Sequence, residues 1–236
     1  VHKGLGEMQS LAQGVGDLKH LLANVKTRGI FGEAQLAALL EQVFVPEQYA
    51  AQVPTRPGSR NPVDFAIRLP GRTDQGPPVW LPIDAKFPNE DYERLLDAQA
   101  RADGPAADAA ARALETRIRT EARSIADKYL EPPHTTDFAL MFLPSEAVYA
   151  ELHANFPELV RDGFAAKVWI VSPTTCMATL HTMRAVLKDA RMREQAGAIR
   201  KELALLHGDV ERLGERVGNL DRHFGQAAKD LEDIKI

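Results

Sequence analysis

The feature that most constrains the fold is an unbroken heptad pattern at the C-terminal end of the chain. Apolar residues there alternate steps of three and four, a period of about 3.5 residues that is typical of a coiled-coil helix. The pattern comprises Leu203, Leu206, Val210, Leu213, Val217, Leu220, Phe224, Ala227, Leu231 and Ile234. Because so narrow an apolar seam is poorly suited to a globular core, we expect residues 191–236 to form a helix that pairs with another helix.

A second heptad pattern lies near the other end of the chain, from Met8 to Val25. It predicts an N-terminal coiled-coil helix over residues 1–27, although an ordinary amphipathic helix explains this shorter pattern equally well. Either helix could fold back on the same chain or pair with a second copy. We expect pairing between copies, which would make the protein a homo-oligomer.

Residues 28–190, between the heptad segments, have the pattern of one α/β core. Apolar runs bounded by turn residues predict strands at 49–53, 63–69, 79–85, 137–143 and 167–171. Helical periodicity predicts helices at 33–44, over a stretch ending at Tyr129, at 145–155 and after Pro173. This order predicts a mixed β-sheet flanked by helices.

Two stretches of this core are expected to lack regular structure. Residues 29–32 contain two glycines, which favour an interruption of the helix. Residues 98–113 are rich in alanine and aspartate and have no large apolar side chain, so they predict a solvated loop or a weak helix start.

Composition limits the possible partners and compartments. The formal net charge of -4 gives no global positive field, so contact with DNA would need a local basic surface. The single cysteine, Cys176, cannot form an intrachain disulfide and fits a reducing, cytoplasmic compartment. No apolar run approaches the roughly 20 residues that span a bilayer. The chain begins at Val1 without a methionine, so we expect that an upstream segment is missing.

The sequence Asp84-Ala85-Lys86 ends one of the predicted strands and carries the clearest chemical signal. Residues two apart on a strand project from the same face, so Asp84 and Lys86 would lie side by side. Asp64 opens the preceding strand, and a hairpin between the two strands would bring its carboxylate towards Asp84. Glu33, at the start of the first predicted helix, is a third candidate acid.

These residue types suit the hydrolysis of a phosphodiester. Two carboxylates that meet at one point can bind a hard cation, which polarises the phosphate and lowers the pKa of a bound water. A lysine beside them, Lys86, can hold the attacking water or neutralise charge on the transition state. An isolated D-x-K sequence is more often a surface ion pair, so the signal depends on the ordered set of Glu33, Asp64, Asp84 and Lys86.

Several motifs together resemble one known family. Gly29-Ile30-Phe31-Gly32-Glu33 is similar to a Gly-x-Trp-Gly-Glu segment, and Ile83-Asp84-Ala85-Lys86-Phe87-Pro88 to Ile-Asp-Ser-Lys-x-Pro. Further matches follow at 128–129, 142–146 and 172–175. With these motifs the sequence resembles the PD-(D/E)xK nuclease superfamily and, within it, the RmuC family, described as DNA recombination proteins. One departure is Asn61-Pro62-Val63-Asp64, where an extra residue separates the proline from the acid.

The resemblance implies a restriction-endonuclease-like PD-(D/E)xK core that hydrolyses DNA during recombination or the processing of branched DNA. Asp64 and Asp84 would bind Mg²⁺ or Mn²⁺, Glu33 would assist as a ligand or through water, and Lys86 would be the catalytic lysine. It also implies a membrane anchor upstream of this chain. The chain itself would then be the cytoplasmic part and would make no membrane contact.

Two other functions stay open at this point. In one, the nuclease fold is a catalytically inactive scaffold or DNA-binding ring that oligomerises through its coiled coils. In the other, the chain is a structural coiled-coil protein with an α/β insert, and Asp84 and Lys86 form a solvent-facing ion pair that contributes under about 1 kcal/mol.

Some residues outside this set could bind phosphate. The segment Ser172-Pro173-Thr174-Thr175 precedes a helix, where its hydroxyls could bind a phosphate or simply cap the helix. Glu146, at another predicted helix start, is explained by the helix dipole. Basic residues near the hairpin and on the central helix could contact phosphates or be solvated surface, and they are Arg56, Arg60, Arg68, Arg72, Arg117, Arg119, Arg123 and Lys128.

Overall fold

The computed structural model of the chain describes residues 25–71 and 77–234. The chain divides into two compact units, Val1–Leu187 and Lys188–Ile236. The N-terminal coiled coil predicted over residues 1–27 lies outside the described residues except for its last three, and Arg72 lies outside them too.

The described part of the first unit contains both helices and strands. The helices are α1 (Val25–Val43), α2 (Asn89–Ala100), α3 (Gly104–Tyr129), α4 (Glu146–Asn155), α5 (Pro157–Ala165) and α6 (Pro173–Ile234), the last of which continues into the second unit. The strands are β1 (Tyr49–Val53), β2 (Val63–Leu69), β3 (Val79–Ala85), β4 (Ala139–Phe142) and β5 (Val168–Val171). A 3-10 turn, Pro46–Gln48, leads into β1.

The strands form a five-stranded mixed sheet in the order β1-β2-β3-β4-β5. The first three strands pair antiparallel, and β3, β4 and β5 pair parallel. All residues of β4 are buried, as its continuous apolar run predicts for a parallel strand covered on both faces. The predicted mixed sheet is therefore confirmed.

Helices cover both faces of the sheet. Side chains of β4 alternate between the two layers, with Met141 packing in the layer that contains α3 and Leu140 in the layer that contains α1 and the start of α6. The stripe predicted for α3 is buried at steps of three or four residues, at Leu114, Ile118, Ala122, Ile125 and Tyr129. Cys176 is fully buried in the α1 layer, so its predicted place in the core is confirmed.

The expectation that residues 29–32 interrupt the first helix is wrong, because α1 runs through them. Gly32 is needed there for a close approach, since a Cβ atom on it would lie 3.0 Å from Cγ of the buried Pro144. Packing of Leu36 and Leu40 against the sheet outweighs the cost of about 1 kcal/mol that a glycine adds inside a helix.

Of the two alternatives for residues 98–113, the loop is wrong and the helix start is found, because the end of α2 and the start of α3 occupy most of the stretch. Asp103 caps α3 by accepting a hydrogen bond of 3.1 Å from the backbone N–H of Ala106, and Pro105 lies in the first turn. Alanine has the highest helix propensity, so a local cap is enough to continue the helix. The helices α2 and α5 were both absent from the predicted order.

The second unit contains the remainder of α6. The helix predicted there is confirmed, whereas its pairing as a coiled coil remains a prediction. The large apolar residues of the heptad pattern from Leu203 to Leu231 are 57% to 68% exposed. Among the described helices, none is long and apolar enough to cross a membrane.

Two glycines in α1 give a test of its packing. We expect Gly32→Ala to lower the free energy of unfolding by about 1–2 kcal/mol, because the new methyl group meets the ring of Pro144. Gly29→Ala is the matched control, since a Cβ atom there has nothing within 4 Å. It should raise stability by about 0.5–1 kcal/mol through helix propensity. Urea unfolding measures both, and equal effects would contradict the close approach.

Candidate functional site

The hairpin of β2 and β3 brings Asp64 and Asp84 together. Its register pairs Phe65 with Ile83, and one further step along the strands sets Asp64 opposite Asp84. Residues directly opposite in an antiparallel pair share a face of the sheet. The Asp64 Oδ2 atom accepts a hydrogen bond of 2.8 Å from the backbone N–H of Ala85, which fixes this carboxylate at the end of β3.

Asp84 is a buried carboxylate that forms an ion pair with Lys86. It is only 1% exposed, and its Oδ2 atom contacts the Lys86 Nζ atom outside the geometry of a hydrogen bond. The hydroxyl of Tyr129, at the end of α3, is within hydrogen-bonding reach of the same carboxylate. Removing one member of such a pair leaves an uncompensated buried charge, so the two residues depend on each other.

Burial and neighbouring charge shift the pKa of each group in this cluster. Burial raises the pKa of Asp84 to about 6, although the charge of Lys86 opposes the change. Burial also disfavours the Lys86 ammonium, but the charge of Asp84 outweighs it and raises the pKa of Lys86. The pKa of Glu33 is raised by burial and by the charge of Asp64. The pKa of Tyr129 is raised by burial and by the charge of Asp84.

A cleft of about 300 Å³ opens beside this cluster. Glu33 reaches it from α1, Asp64 from β2, and Lys86 from the residues that follow β3. Asp84 lies next to the cleft and forms its ion pair with Lys86, which lines the cleft. The structure therefore brings all four predicted site residues together at one end of the sheet.

Two charged residues of α3 line the same cleft and were not singled out as members of the site. Glu121 contributes negative charge near Asp84 and Lys86, and Arg117 lies one turn before it. Glu121 is spaced at four-residue steps from Ile125 and Tyr129, so it lies on the helix face that meets the sheet. A polar residue on an otherwise apolar stripe is the signal in the sequence that could have identified it.

The proposed phosphate site at Ser172–Thr175 is occupied by a side chain of the protein itself. The backbone N–H of Thr174 donates a hydrogen bond of 2.7 Å to the Glu146 carboxylate, and the backbone N–H of Ser172 donates one of 2.8 Å to the Thr175 hydroxyl. Burial disfavours ionisation of Glu146, but hydrogen bonds from Thr174 and Ser172 outweigh it and lower its pKa. The segment therefore caps α6, and Glu146 complements the dipole of α6 rather than that of its own helix alone.

Several of the candidate basic residues are engaged within the protein. Arg56 pairs with Glu131, and Arg119 pairs with Glu115 and Asp162. These arginines stabilise the junctions between elements and are less available to phosphates. Arg60, Arg68, Arg123 and Lys128 are exposed.

The cluster suits a hard divalent cation, but as a partial site. The Asp84 Oδ2 atom is buried in contact with the Lys86 Nζ atom, and Asp64 supplies a second carboxylate beside it. Over residues 25–71 and 77–234, no group of three or more His, Cys, Asp or Glu side chains is arranged to hold a metal ion. Mg²⁺ commonly uses one or two carboxylates together with waters and substrate phosphate, so two carboxylates and Glu33 acting through water fit it.

Comparison with known proteins identifies the family. The model of the RmuC family matches residues 1–235. The chain belongs to the RmuC family. Similar proteins include the DNA recombination protein RmuC homolog of Xylella fastidiosa strain Temecula1, which is 42% identical over the whole of this chain and 53% of its own length.

More distant relatives carry related names. The DNA recombination protein RmuC homolog of Pseudomonas aeruginosa is 29% identical over 98% of this chain and 53% of its own length. The DNA recombination protein RmuC of Escherichia coli K12 is 26% identical over 94% of this chain and 48% of its own length. The chain thus spans about half the length of the RmuC relatives it matches. No solved structure matches it significantly.

The raised pKa of Asp84 predicts a pH dependence of stability. The folded state holds the Asp84 proton up to a pH of about 6, above the ordinary value of 3.8. Unfolding therefore releases protons between these values, and the free energy of unfolding falls as pH rises through this window. Asp84→Asn should remove this fall, which amounts to up to about 3 kcal/mol.

Urea unfolding at several pH values between 4 and 6.5 measures the effect. Asp97→Asn is the matched control, because that carboxylate has a side chain that is 68% exposed and pairs with Arg101. It should leave the pH slope of the parent protein unchanged. The same slope in the parent and in Asp84→Asn would show that the Asp84 pKa is not raised.

Proposed function

We propose that this RmuC-family domain is a Mg²⁺- or Mn²⁺-dependent nuclease with a PD-(D/E)xK core, which hydrolyses DNA phosphodiesters in recombination or in the processing of branched DNA. The observation that carries the proposal is the meeting of Asp64, Asp84, Lys86 and Glu33 at one cleft. The names of the relatives, DNA recombination proteins, support DNA as the substrate. DNA as a substrate in turn favours action in the cytoplasm.

Each residue of the cluster has a distinct part in the proposed reaction. Asp64 and Asp84 would hold the cation, which when bound supplies Lewis-acid polarisation of the phosphate and a more acidic bound water. Lys86 places a positive charge beside the reacting phosphate, where negative charge develops in the transition state. Glu33, with its raised pKa, is suited to accept a proton from the attacking water.

Two substitutions test this function. Purified protein should cut a DNA substrate in the presence of Mg²⁺ or Mn²⁺. We expect Asp84→Ala and Lys86→Ala to lower the cutting rate by about a hundredfold or more, because each removes charge from the reacting centre. Asp97→Ala and Lys128→Ala, at exposed positions, are the matched controls. Equal cutting by the parent protein and all four variants would contradict the proposal.

A non-catalytic role is the second candidate function, as a scaffold or a DNA-binding ring. It is favoured by the ion pair, in which the Lys86 ammonium contacts the carboxylate that a cation would need. Calorimetric titration with Mn²⁺ separates the two functions. Binding that is lost in Asp84→Ala supports the nuclease, whereas DNA binding with no Mn²⁺ binding supports the scaffold.

We also propose that the second unit pairs with the same helix of another copy to form a homo-oligomer. Within Lys188–Ile236, the heptad residues present a continuous apolar stripe that is more than half exposed. Exposed apolar stripes of this period are buried when helices pair as a coiled coil.

A pair of leucines tests this pairing. Leu213 lies on the heptad seam and Leu205 lies off it, yet the two are 62% and 58% exposed. Leu213→Asp should shift the protein towards monomer, because it places a charge in the coiled-coil interface. Leu205→Asp, with the same change in charge, should not. Light scattering measures the mass, and removal of residues 203–236 should give monomer as well.

A further inference from the structure

One aromatic ring lines the cleft, and a second ring lies against the first. Phe87 lines the cleft directly after Lys86, and its ring centroid is 6.4 Å from that of Phe31, with the planes tilted by 32°. Phe31 belongs to α1, two residues before Glu33. The rings are therefore part of the same small region as the charged cluster.

Phe31 is 42% exposed, which the packing of α1 does not explain. The large apolar residues that follow it on the helix, Leu36, Leu40 and Val43, are all buried against the sheet. An aromatic ring buries a large apolar area when it finds a partner, so a half-exposed one beside a functional cleft is a candidate binding surface.

The volume of the cleft restricts what can reach the cluster. A cleft of about 300 Å³ has room for about one nucleotide. The carboxylate of Asp84 is itself buried, so a phosphate that approaches it must enter among the cleft walls. An unpaired base can stack on an aromatic ring beside the cleft directly, whereas a base within a duplex must first leave its own stack.

Arg117 supplies a cationic group to the lining of the cleft. Its side chain is 52% exposed and is held by Asp91 at 3.3 Å. Asp91 also pairs with Arg94, so Arg117 can turn to a phosphate while Asp91 keeps one cationic partner. A basic group that follows the backbone and an aromatic surface that stacks a base are the two elements of single-strand recognition.

We propose that Phe31, supported by Phe87, stacks an unpaired base at the mouth of the cleft, so that the substrate is single-stranded or unpaired DNA. This inference rests on the proposed nuclease function for its substrate class. The ring of Phe31 orients the nucleotide, and the adjoining phosphate then lies beside Lys86. Phe31 is thus a specificity-determining residue, separate from the groups that act on the phosphate.

A binding measurement tests the inference without any cutting. Fluorescence anisotropy compares a labelled oligothymidylate with a labelled duplex of equal length, in the absence of divalent cations. We expect the parent protein to bind the single strand at least tenfold more tightly. Phe31→Ala should weaken single-strand binding by about tenfold, the effect of one stacked base, and leave duplex binding unchanged.

Three further variants separate stacking from simple packing. Phe31→Leu keeps an apolar contact with Phe87 but cannot stack, so it should resemble Phe31→Ala. Phe31→Trp should bind like the parent, and its added fluorescence should be quenched by the single strand. Ile30→Ala, at a neighbouring position that is 59% exposed, is the matched control and should bind normally.

The inference is overturned if Phe31→Leu binds the single strand like the parent, or if the duplex binds equally well. Its failure is distinguishable from failure of the nuclease proposal, because the binding assay contains no cation and no cutting. Metal-dependent cutting that is unaffected by Phe31→Ala would support the nuclease proposal and contradict the stacking role of Phe31.

Discussion

Strand β3 is paired along both edges, and the site depends on how that pairing ends. The backbone N–H of Ala85 donates to the Asp64 carboxylate, and the backbone N–H of Lys86 donates to the carbonyl of Phe142 on β4. The Asp64 side chain, which comes from β2, thereby takes the place of a backbone acceptor for Ala85, the last residue of β3. Because buried backbone groups must be paired, these bonds fix Asp64 and Lys86 on either side of Asp84.

The pairing of Asp84 with Lys86 is not explained by a gain in stability. A buried ion pair contributes little net stability, because the loss of hydration of the two charges offsets the attraction between them. Burial raises the pKa of Asp84 to about 6, because removal from water disfavours the charged form of the carboxylate. Such perturbed groups gather at functional sites, and here Glu33 and Glu121 add further charge to the same cleft.

Helix α1 connects the packing of the core to the mouth of the cleft. Gly32 allows the helix to approach Pro144, which follows β4, so Glu33 is carried to the end of the sheet. The same turn of helix presents Phe31 to Phe87. One close contact between backbone and ring thus sets both a carboxylate and an aromatic surface relative to Lys86.

The sequence by itself determined the five strands, the buried stripe of α3 and the helical nature of the C-terminal segment, because each follows from a periodicity that neighbouring residues repeat. It also indicated Asp84 and Lys86 as neighbours, since strand geometry alone makes them so. Only the tertiary structure decided that glycine continues α1 at Gly32, that Glu121 joins the cleft, and that Glu146 caps α6. Those outcomes depend on contacts between residues far apart in the chain, which local propensity does not contain.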